Sequence, residues 1–445
     1  MSTRSIEAEA AALLETLTYD NRAFSARFGG APDHRQPVHT VYGGAHLFRS
    51  DLASRMGLRA LESLEAHAPD AESFAEVIGL STKKGLADKV YERVRHKLEL
   101  EPVEDYRIDF EDGFGVRPDE EEDAVALVAA EQVARGLEAK SLPPSIGIRV
   151  KPLDEDLKQR SARTLDLFLT ALASRTGGAL PDPFVVTLPK VRGPEQVRVM
   201  AALLDLLEVK LALPAKHLRL ELMIELPQTL FDVEGRLQLP RLLDAGDGRV
   251  AGAHFGTYDY TAAVDVTATH QTMDHAACRL ALGLMKIGYA GTPVFVSDGA
   301  TTLLPVPLYK GEGLKKKQRQ KNRDAVHAAW RASYANIRRA LENGIYQGWD
   351  LHPAQLPVRY AATHAFFLEG FEDAAVRLTH FIRQAARATT VGHVFDDAAT
   401  GQGLLNYFLR AHNAGAVTLE ELEQTGLSRA EIATRSFLKI LDGRR

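Results

Sequence analysis

The chain has 445 residues, of which 45% are hydrophobic and 25% are charged, which is ordinary for a globular protein and unlike a disordered chain. With 54 Lys and Arg against 59 Asp and Glu, the net charge of −5 gives no reason to expect nucleic acid or an anionic membrane as a partner. The single cysteine, Cys278, excludes an intramolecular disulfide and suits a reducing compartment. No apolar run approaches the ~18 residues of a membrane span, and residues 1–15 lack the basic and apolar regions of a signal peptide. We therefore expect a cytoplasmic protein.

Short apolar or β-branched runs alternate with longer segments of helical period through the middle of the chain. The predicted strands are Val38–Tyr42, Tyr106–Phe110, Ile146–Val150, Phe184–Leu188, Leu218–Ile224, Val250–Phe255, Pro293–Val296 and Trp349–Leu351. Runs that are apolar throughout are typical of parallel strands covered on both faces. About eight strand–helix repeats predict an α/β fold of the (β/α)8 TIM barrel type. An open doubly wound sheet is the alternative. Such a sheet usually has a Gly-rich turn after its first strand, and Gly43–Gly44 matches that turn only weakly.

The predicted barrel occupies residues 36–360. Residues 1–35 read as an N-terminal helical leader, and residues 361–445 read as a C-terminal helical cap without a convincing strand. Within the barrel, Asp119–Leu137 predicts a helix that begins with acidic residues and carries an apolar face, formed by Ala124, Leu127, Val128 and Val133.

Ionisable residues follow almost every predicted strand. They are His46, Asp109, Glu111, Asp112, Arg149, Lys190, Glu225, Asp259, Asp298 and His352. In a barrel the carboxyl ends of the strands share one cleft, so this placement predicts a polar site there. Buried charges cost several kcal/mol unless they are paired or bound to a metal, so stability alone does not explain the pattern.

Two of these acids, Glu225 and Asp259, follow runs that we expect to be neighbouring strands. Two carboxylates with open positions for water are the usual way to hold Mg²⁺. No Cys and His cluster is present that would favour zinc. The alternative is that either acid caps a helix or pairs with an arginine.

Arg149, Lys190 and His352 are the candidate substrate-binding residues. The planar fork of Arg149 suits a carboxylate or an enolate oxygen, although a structural ion pair with Asp109 or Glu111 is the alternative. Carboxylates nearby should raise the pKa of Lys190, which favours an electrostatic role over a Schiff base. His352 is either a donor to substrate or a packing histidine.

Six short segments together resemble malate synthases and the β-subunit of citrate lyase. The segments are Ile108–Asp112 (IDFED), Leu188–Glu195 (LPKVRGPE), Met223–Glu225 (MIE), Phe255–Tyr260 (FGTYDY), His352–Gln355 (HPAQ) and Phe395–Thr400 (FDDAAT). They occur in the order found in that superfamily, which also contains the HpcH/HpaI aldolases.

The resemblance implies a TIM barrel in which Glu225 and Asp259 hold Mg²⁺ and Arg149 stabilises the oxygen of a 2-oxo acid or an enolate. It also implies that Asp109 and Glu111 order water and the thioester end of the site. The general base would be Asp397, which without the resemblance reads as part of a solvated loop or a helix cap.

The leading hypothesis is a lyase or acyltransferase that joins or splits a 2-oxo acid and an acyl-CoA. The resemblance also implies a homo-oligomer. The alternatives are a CoA-independent aldolase of the HpcH type acting on free 2-oxo acids, and a non-catalytic barrel subunit. A lysine-rich stretch at residues 310–323 is either a grip for coenzyme A or nucleotide phosphates, or a solvated loop and helix start.

Overall fold

The computed structural model describes residues 6–30, 35–383, 389–391, 394–396 and 398–444. Within them, eight parallel strands close into a barrel in sequence order, with the eighth strand paired to the first. The strands are β1 (His39–Gly44), β2 (Asp105–Asp109), β3 (Ser145–Arg149), β4 (Phe184–Leu188), β5 (Leu218–Ile224), β6 (Val250–Phe255), β7 (Phe295–Ala300) and β8 (Gln347–Asp350). The predicted (β/α)8 barrel is confirmed.

Helices separate the strands and flank the barrel at both ends of the chain. In chain order they are α1 (Glu7–Glu15), α2 (Thr18–Arg27), α3 (Leu52–His67), α4 (Ala71–Ile78), α5 (Leu86–Leu100), α6 (Asp119–Ala139), α7 (Lys158–Thr176), α8 (Pro194–Lys210), α9 (Pro227–Leu230), α10 (Leu239–Ala245), α11 (Thr257–Ala263), α12 (Ala276–Gly288), α13 (Lys316–Glu342), α14 (Leu356–Glu369), α15 (Phe371–Arg383), α16 (Ala398–Asn413), α17 (Leu419–Glu423), α18 (Arg429–Thr434) and α19 (Phe437–Gly443). Among the described residues, no helix is both long and apolar enough to cross a membrane.

Helix α6 shows how the barrel helices form and where the predicted face was wrong. Its first turn carries four acids, which the positive end of the helix dipole favours. The buried face consists of Ala126, Ala129, Ala130 and Val133, whereas Leu127 and Val128 are 39% and 49% exposed. The spacing i, i+3, i+4, i+7 is the one expected for a helix, but alanines form the face because α6 packs against α7.

Strand β7 is displaced from its predicted position at Pro293–Val296. It begins at Phe295 and continues through Ser297, Asp298 and Gly299 to Ala300. Small polar residues and glycine have low strand propensity, so the sequence did not indicate that the strand continues through them. The backbone pairing with β6 and β8 overrides that propensity.

The C-terminal segment differs from the prediction in containing a short antiparallel hairpin, β9 (Thr389–Val391) and β10 (Val394–Asp396). Strands of three residues are too short to give a periodic signal. The predicted boundary at residue 361 falls within α14, which packs between α5 and α13 as the helix that follows β8. The division of the chain into leader, barrel and cap stays a prediction.

The interior of the barrel contains a charged network rather than an aliphatic core. Arg107 Nη1 lies 2.5 Å from Asp105 Oδ1, and its Nη2 lies 2.6 Å from Glu221 Oε2. Arg107 Nε also donates to Thr187 Oγ1 at 3.0 Å. Burial opposes ionisation of Glu221, but the Arg107 guanidinium outweighs it and lowers the pKa of Glu221 to about 2. One fully buried guanidinium therefore compensates two buried carboxylates.

Removing this guanidinium should destabilise the whole barrel. We expect Arg107→Met to lower the free energy of unfolding by ~3–5 kcal/mol, because it leaves Asp105 and Glu221 buried without a counter-charge. The matched control is Arg135→Met, which removes an exposed pair with Glu131 on α6 and should cost about 0.3–0.5 kcal/mol. Urea denaturation measures both, and a loss below about 1 kcal/mol for Arg107→Met would contradict this compensation.

Candidate active site

Seven ionisable side chains meet at the carboxyl ends of β2 to β6. We call them the acidic cluster: Asp109, Glu111, Asp112, Glu225 and Asp259, with the cations Arg149 and Lys190. The cluster places five carboxylates against two cationic groups. These are the residues that the sequence placed at the strand ends, and the structure brings them together.

Arg149 ends β3 directly beside Asp109, which ends β2. Arg149 Nε donates to Asp109 Oδ1 at 2.7 Å and Nη2 donates to Oδ2 at 2.5 Å, so the pair is bidentate. Its third nitrogen, Nη1, lies 2.9 Å from Glu111 Oε2 and 3.5 Å from Asp112 Oδ2. The structural ion pair considered for Arg149 is therefore present.

Asp109 is fixed from its other side by the loop that follows β2. The backbone N–H groups of Glu111 and Gly113 donate to its two oxygens at 2.9 and 2.7 Å. Burial opposes the charge on Asp109, but Arg149 and these N–H groups outweigh burial and lower the pKa of Asp109. Asp109 therefore stays ionised and holds the guanidinium plane in one orientation.

Lys190 connects four of the five carboxylates. Its Nζ lies 2.5 Å from Glu111 Oε1 and 3.6 Å from both Asp112 Oδ1 and Asp259 Oδ1. Its backbone has φ of 48°, the left-handed region that a lysine rarely adopts, and its N–H donates to Glu225 Oε1 at 2.6 Å. Burial opposes the ammonium, but Glu225 and Glu111 outweigh it and raise the pKa of Lys190, as expected from the sequence.

Glu225 directly follows β5 and is buried, whereas Asp259 lies in the first turn of α11 and its side chain is 40% exposed. Burial and the charges of Glu111 and Asp259 raise the pKa of Glu225 to about 8, against the opposing effect of Lys190. A Cβ on Gly256 would lie 2.4 Å from Glu225 Cβ and 2.5 Å from its Oε2. The absence of a side chain at Gly256 thus makes the space that the Glu225 carboxylate occupies.

The floor of the cluster is aromatic. The Arg149 guanidinium lies 4.9 Å from the centroid of the Tyr42 ring, which packs against Trp349 at 4.7 Å and edge-on to His254 at 6.3 Å. Trp349 Nε1 donates to His254 Nδ1 at 3.1 Å, so Nδ1 is the acceptor nitrogen of this imidazole. The other nitrogen, His254 Nε2, therefore carries a proton and donates to Glu221 Oε2 at 2.8 Å. Tyr42 and His254 were not predicted as site residues, and their inward positions on β1 and β6 are the signal that could have indicated them. Gly256 directly follows β6 and belongs to the FGTYDY segment, but its role in leaving space for Glu225 was not predicted.

Three ionisable residues from the strand ends lie outside the acidic cluster. His352 accepts from the N–H of Ala354 at 3.2 Å and caps the short helix Pro353–Gln355, which supports the packing alternative. His46 packs against Phe114 at 5.7 Å. Asp298 is inside β7, where its Oδ1 accepts a hydrogen bond from the N–H of Gly299 at 2.8 Å. In the described part of the chain, no hydrogen bond or ion pair joins these three side chains to the acidic cluster.

Asp397, the predicted general base, lies outside the described residues. The helix that begins at the next residue, α16, lines a cavity together with residues that precede β7 and β8. This part of the C-terminal segment therefore lies at the end of the barrel opposite the acidic cluster. The lysine-rich stretch forms the loop after β7 and the start of α13, and its function stays open.

Comparison with known proteins agrees with this fold. A family model described as a domain of unknown function (DUF6986) matches residues 17–440. Among solved structures, a citrate lyase from Burkholderia xenovorans LB400 is 18% identical, with a TM-score of 0.57, covering 88% of this chain and 97% of that chain. At this identity the similarity shows that the fold is shared, as the resemblance to citrate lyase implies.

Two further solved structures are similar at lower scores. A Haloferax volcanii malate synthase in a lead(II) complex is 14% identical, with a TM-score of 0.45 and coverage of 92% of this chain and 99% of that chain. The protein CitE from Mycobacterium tuberculosis, in complex with magnesium, acetoacetate and coenzyme A, is 14% identical, with a TM-score of 0.46 and coverage of 89% and 100%. The comparison with curated proteins found no match.

The placement of Asp298 inside a strand leads to a pH-dependent prediction. Burial raises its pKa to about 6, against a donated N–H from Gly299 and the charges of Arg359 and Arg339. A raised pKa means that the folded state binds the proton more tightly, so stability falls as the pH rises from about 4 to about 6 and is level above.

The variant Asp298→Asn removes this titration. Relative to the variant, the wild type should lose about 3 kcal/mol of unfolding free energy over that interval, since each pKa unit is worth ~1.4 kcal/mol. Urea denaturation of both proteins from pH 4 to pH 7 gives the difference. A difference that does not change with pH would show that Asp298 does not titrate in this range.

Proposed function

Because the chain belongs to the DUF6986 family, whose description names no reaction, we propose its function from the site: it makes or breaks a carbon–carbon bond between a 2-oxo acid and an acyl-CoA thioester through an enolate, with Mg²⁺ as cofactor. One observation carries this proposal. The acidic cluster places Glu225, Asp259 and Arg149 together at the carboxyl ends of the barrel strands, where TIM-barrel enzymes hold their active sites. Six segments similar to citrate lyase β and malate synthases support it, as does the fold shared with a citrate lyase.

The residues present fit a divalent cation held by two carboxylates. Among the described residues, no three His, Cys, Asp or Glu side chains are grouped to hold a metal ion. In this proposal the protein supplies only two ligands, Glu225 and Asp259, and water or substrate completes the coordination. The donors are hard oxygens without a competing thiol or imidazole. The acids also outnumber the cations. Burial, with the charges of Glu111 and Asp259, raises the pKa of Glu225 against the effect of Lys190, so a nearby cation would stabilise its ionised form.

When bound, Mg²⁺ would polarise the carbonyl of a chelating 2-oxo acid and fix its orientation. Lys190 already keeps Glu225 in place through its backbone N–H, and its ammonium lies between Glu111 and Asp259. A small anion that enters between Asp112 and Asp259, the two exposed carboxylates, would reach this ammonium first. Lys190 would thereby offset the repulsion between an acidic substrate and the acidic cluster.

Arg149 is the group suited to the developing negative charge. Its Nε and Nη2 are engaged by Asp109, so Nη1, shared between Glu111 and Asp112, is the nitrogen that could turn to a substrate oxygen. In the condensing direction a general base, the role predicted for Asp397, would take a proton from the carbon next to the thioester carbonyl. The charge on the resulting enolate oxygen would meet a guanidinium already oriented by Asp109 in a buried site, where such stabilisation is strong. The enolate carbon would then bond to the carbonyl carbon of the oxo acid, whose oxygen becomes an alkoxide and takes up a proton.

The cation site is tested by a substitution that changes no ligand. Gly256 has φ of −90°, so alanine fits its backbone, but the added Cβ must displace the Glu225 carboxylate. We expect Gly256→Ala to weaken Mg²⁺ binding by ~10–100-fold and Glu225→Gln to abolish it, measured by calorimetry. The control is Gly283→Ala on α12, where a Cβ meets nothing within 4 Å. Unchanged affinity in both test variants would refute the assignment.

The reaction is tested by supplying Mg²⁺, acetyl-CoA and glyoxylate, pyruvate or oxaloacetate in turn, with thiol release and the acid product as readouts. We expect turnover with one oxo acid and a loss of ~10²–10³-fold in Arg149→Lys, because lysine cannot keep the bidentate pair with Asp109 while reaching a substrate oxygen. Asp397→Asn should lower turnover by ~10²–10⁴-fold if Asp397 is the general base. Cleavage of free hydroxy acids that is indifferent to coenzyme A would instead favour the aldolase alternative.

A further inference from the structure

The cavity lined by α16 lies at the opposite end of the barrel from the acidic cluster. Its volume is about 830 Å³, which is within the range of small-molecule sites. One wall consists of residues 292–296, which lead into and begin β7, together with the end of α12. The other wall consists of α16 and the chain from the end of α18 into α19. The cavity thus separates the barrel from the C-terminal helices.

Among the described residues, the charged side chains that line this cavity are all cations: Lys286, Arg410, Arg435 and Lys439. Arg435 is already engaged in an interaction, which leaves Lys286, Arg410 and Lys439. The chain as a whole has more acids than bases, so this lining is not a consequence of composition. In the described part of the chain, no carboxylate lies within the 4.0 Å of an ion pair from Lys286, Arg410 or Lys439.

The two cations nearest the barrel contact neutral oxygens instead of carboxylates. Arg410 Nη1 donates to the Gln36 side-chain oxygen, and its guanidinium lies 4.8 Å from the centroid of the Tyr346 ring. Lys286 Nζ donates to the Gly344 carbonyl at 2.8 Å. Desolvation lowers the pKa of Arg410 and of Lys286, and the charge of Arg410 lowers the pKa of Lys286 further. The two cations therefore repel each other, and among the described residues no carboxylate pairs with either of them.

A buried hydroxyl group also faces this cavity. Tyr289 lines the cavity and is 3% exposed, and its hydroxyl has no hydrogen-bond partner among the described residues. Amide side chains complete the wall, where Gln402 donates to Asn406 at 2.8 Å and Asn413 donates to the Gln36 carbonyl at 2.9 Å. Among the described residues, the wall therefore presents cations and a buried hydroxyl group but no carboxylate, which suits an anion.

We propose that this cavity binds a small organic polyanion, bearing phosphate or carboxylate groups, between the barrel and the C-terminal helices. Lys286 belongs to the barrel, and Arg410 and Lys439 belong to the helices, so one ligand would contact both. By mass action such a ligand stabilises the arrangement that it bridges. The site is separate from the acidic cluster and does not depend on the proposed reaction.

The proposal is tested on the full chain after divalent cations have been removed with a chelating resin, with pyrophosphate and citrate as separate probes in calorimetry and thermal unfolding. We expect saturable 1:1 binding of at least one probe and a rise in melting temperature. Binding of pyrophosphate alone identifies a phosphate ligand, and binding of citrate alone identifies a polycarboxylate. No binding of either probe at 10 mM overturns the proposal.

Variants locate the binding. Lys286→Gln and Arg410→Gln should each weaken it at least tenfold, whereas Arg410→Lys should retain most of it, because the cation remains. Lys210→Gln, an exposed lysine at the end of α8, is the matched control. Glu225→Gln should bind like the wild type, which separates this cavity from the acidic cluster. Affinity that is unchanged in Lys286→Gln and in a folded Arg410→Gln overturns the proposal.

Discussion

The carboxyl end of the barrel holds more negative charge than its own side chains neutralise. Arg149 and Lys190 are the two cations of the acidic cluster, and five carboxylates surround them. Burial in the first place, and the charges of Glu111 and Asp259 in the second, raise the pKa of Glu225 to about 8, so a proton or a further cation would stabilise its carboxyl group. The bidentate pair of Arg149 with Asp109 holds both side chains in a fixed position, because the two residues end adjacent strands in register. The other acids are arranged around that pair and remain available to ligands.

The acidic cluster rests on a second charged layer inside the barrel. Tyr42 lies between the two layers, with the Arg149 guanidinium on its ring and His254 at its edge. His254 shares a proton with Glu221, which in turn pairs with Arg107. A barrel interior filled with branched aliphatic side chains would be cheaper to fold. In the network each side chain is instead held by specific hydrogen bonds. The aromatic residues beneath Arg149 are therefore oriented by hydrogen bonds as well as by packing.

The sequence predicted the barrel because buried strands and amphipathic helices leave a periodic pattern, and three strands have the predicted bounds. It failed where a residue's environment is set by distant contacts. Asp298 was predicted to follow a strand, but it lies within β7, whose pairing with the neighbouring strands extends it past the predicted end. Leu127 was predicted to be buried, although alanines form the buried face of α6. The members of the cluster could be predicted from strand ends and motifs. The roles of Gly256 and His352 could not, since one depends on clearance from Glu225 and the other on a local cap.

The acidic cluster and the cavity at the opposite end of the barrel have opposite electrostatic character. Acids outnumber cations where β2 to β6 end, while in the described part of the chain no carboxylate pairs with Lys286 or Arg410 where β7 and β8 begin. Neither set arises from overall composition, which is close to balanced. Uncompensated buried charge lowers stability, so a fold that keeps it at both ends gains nothing from it unless ligands of opposite sign bind there. The same physical argument therefore predicts a cation at one end and an anion at the other.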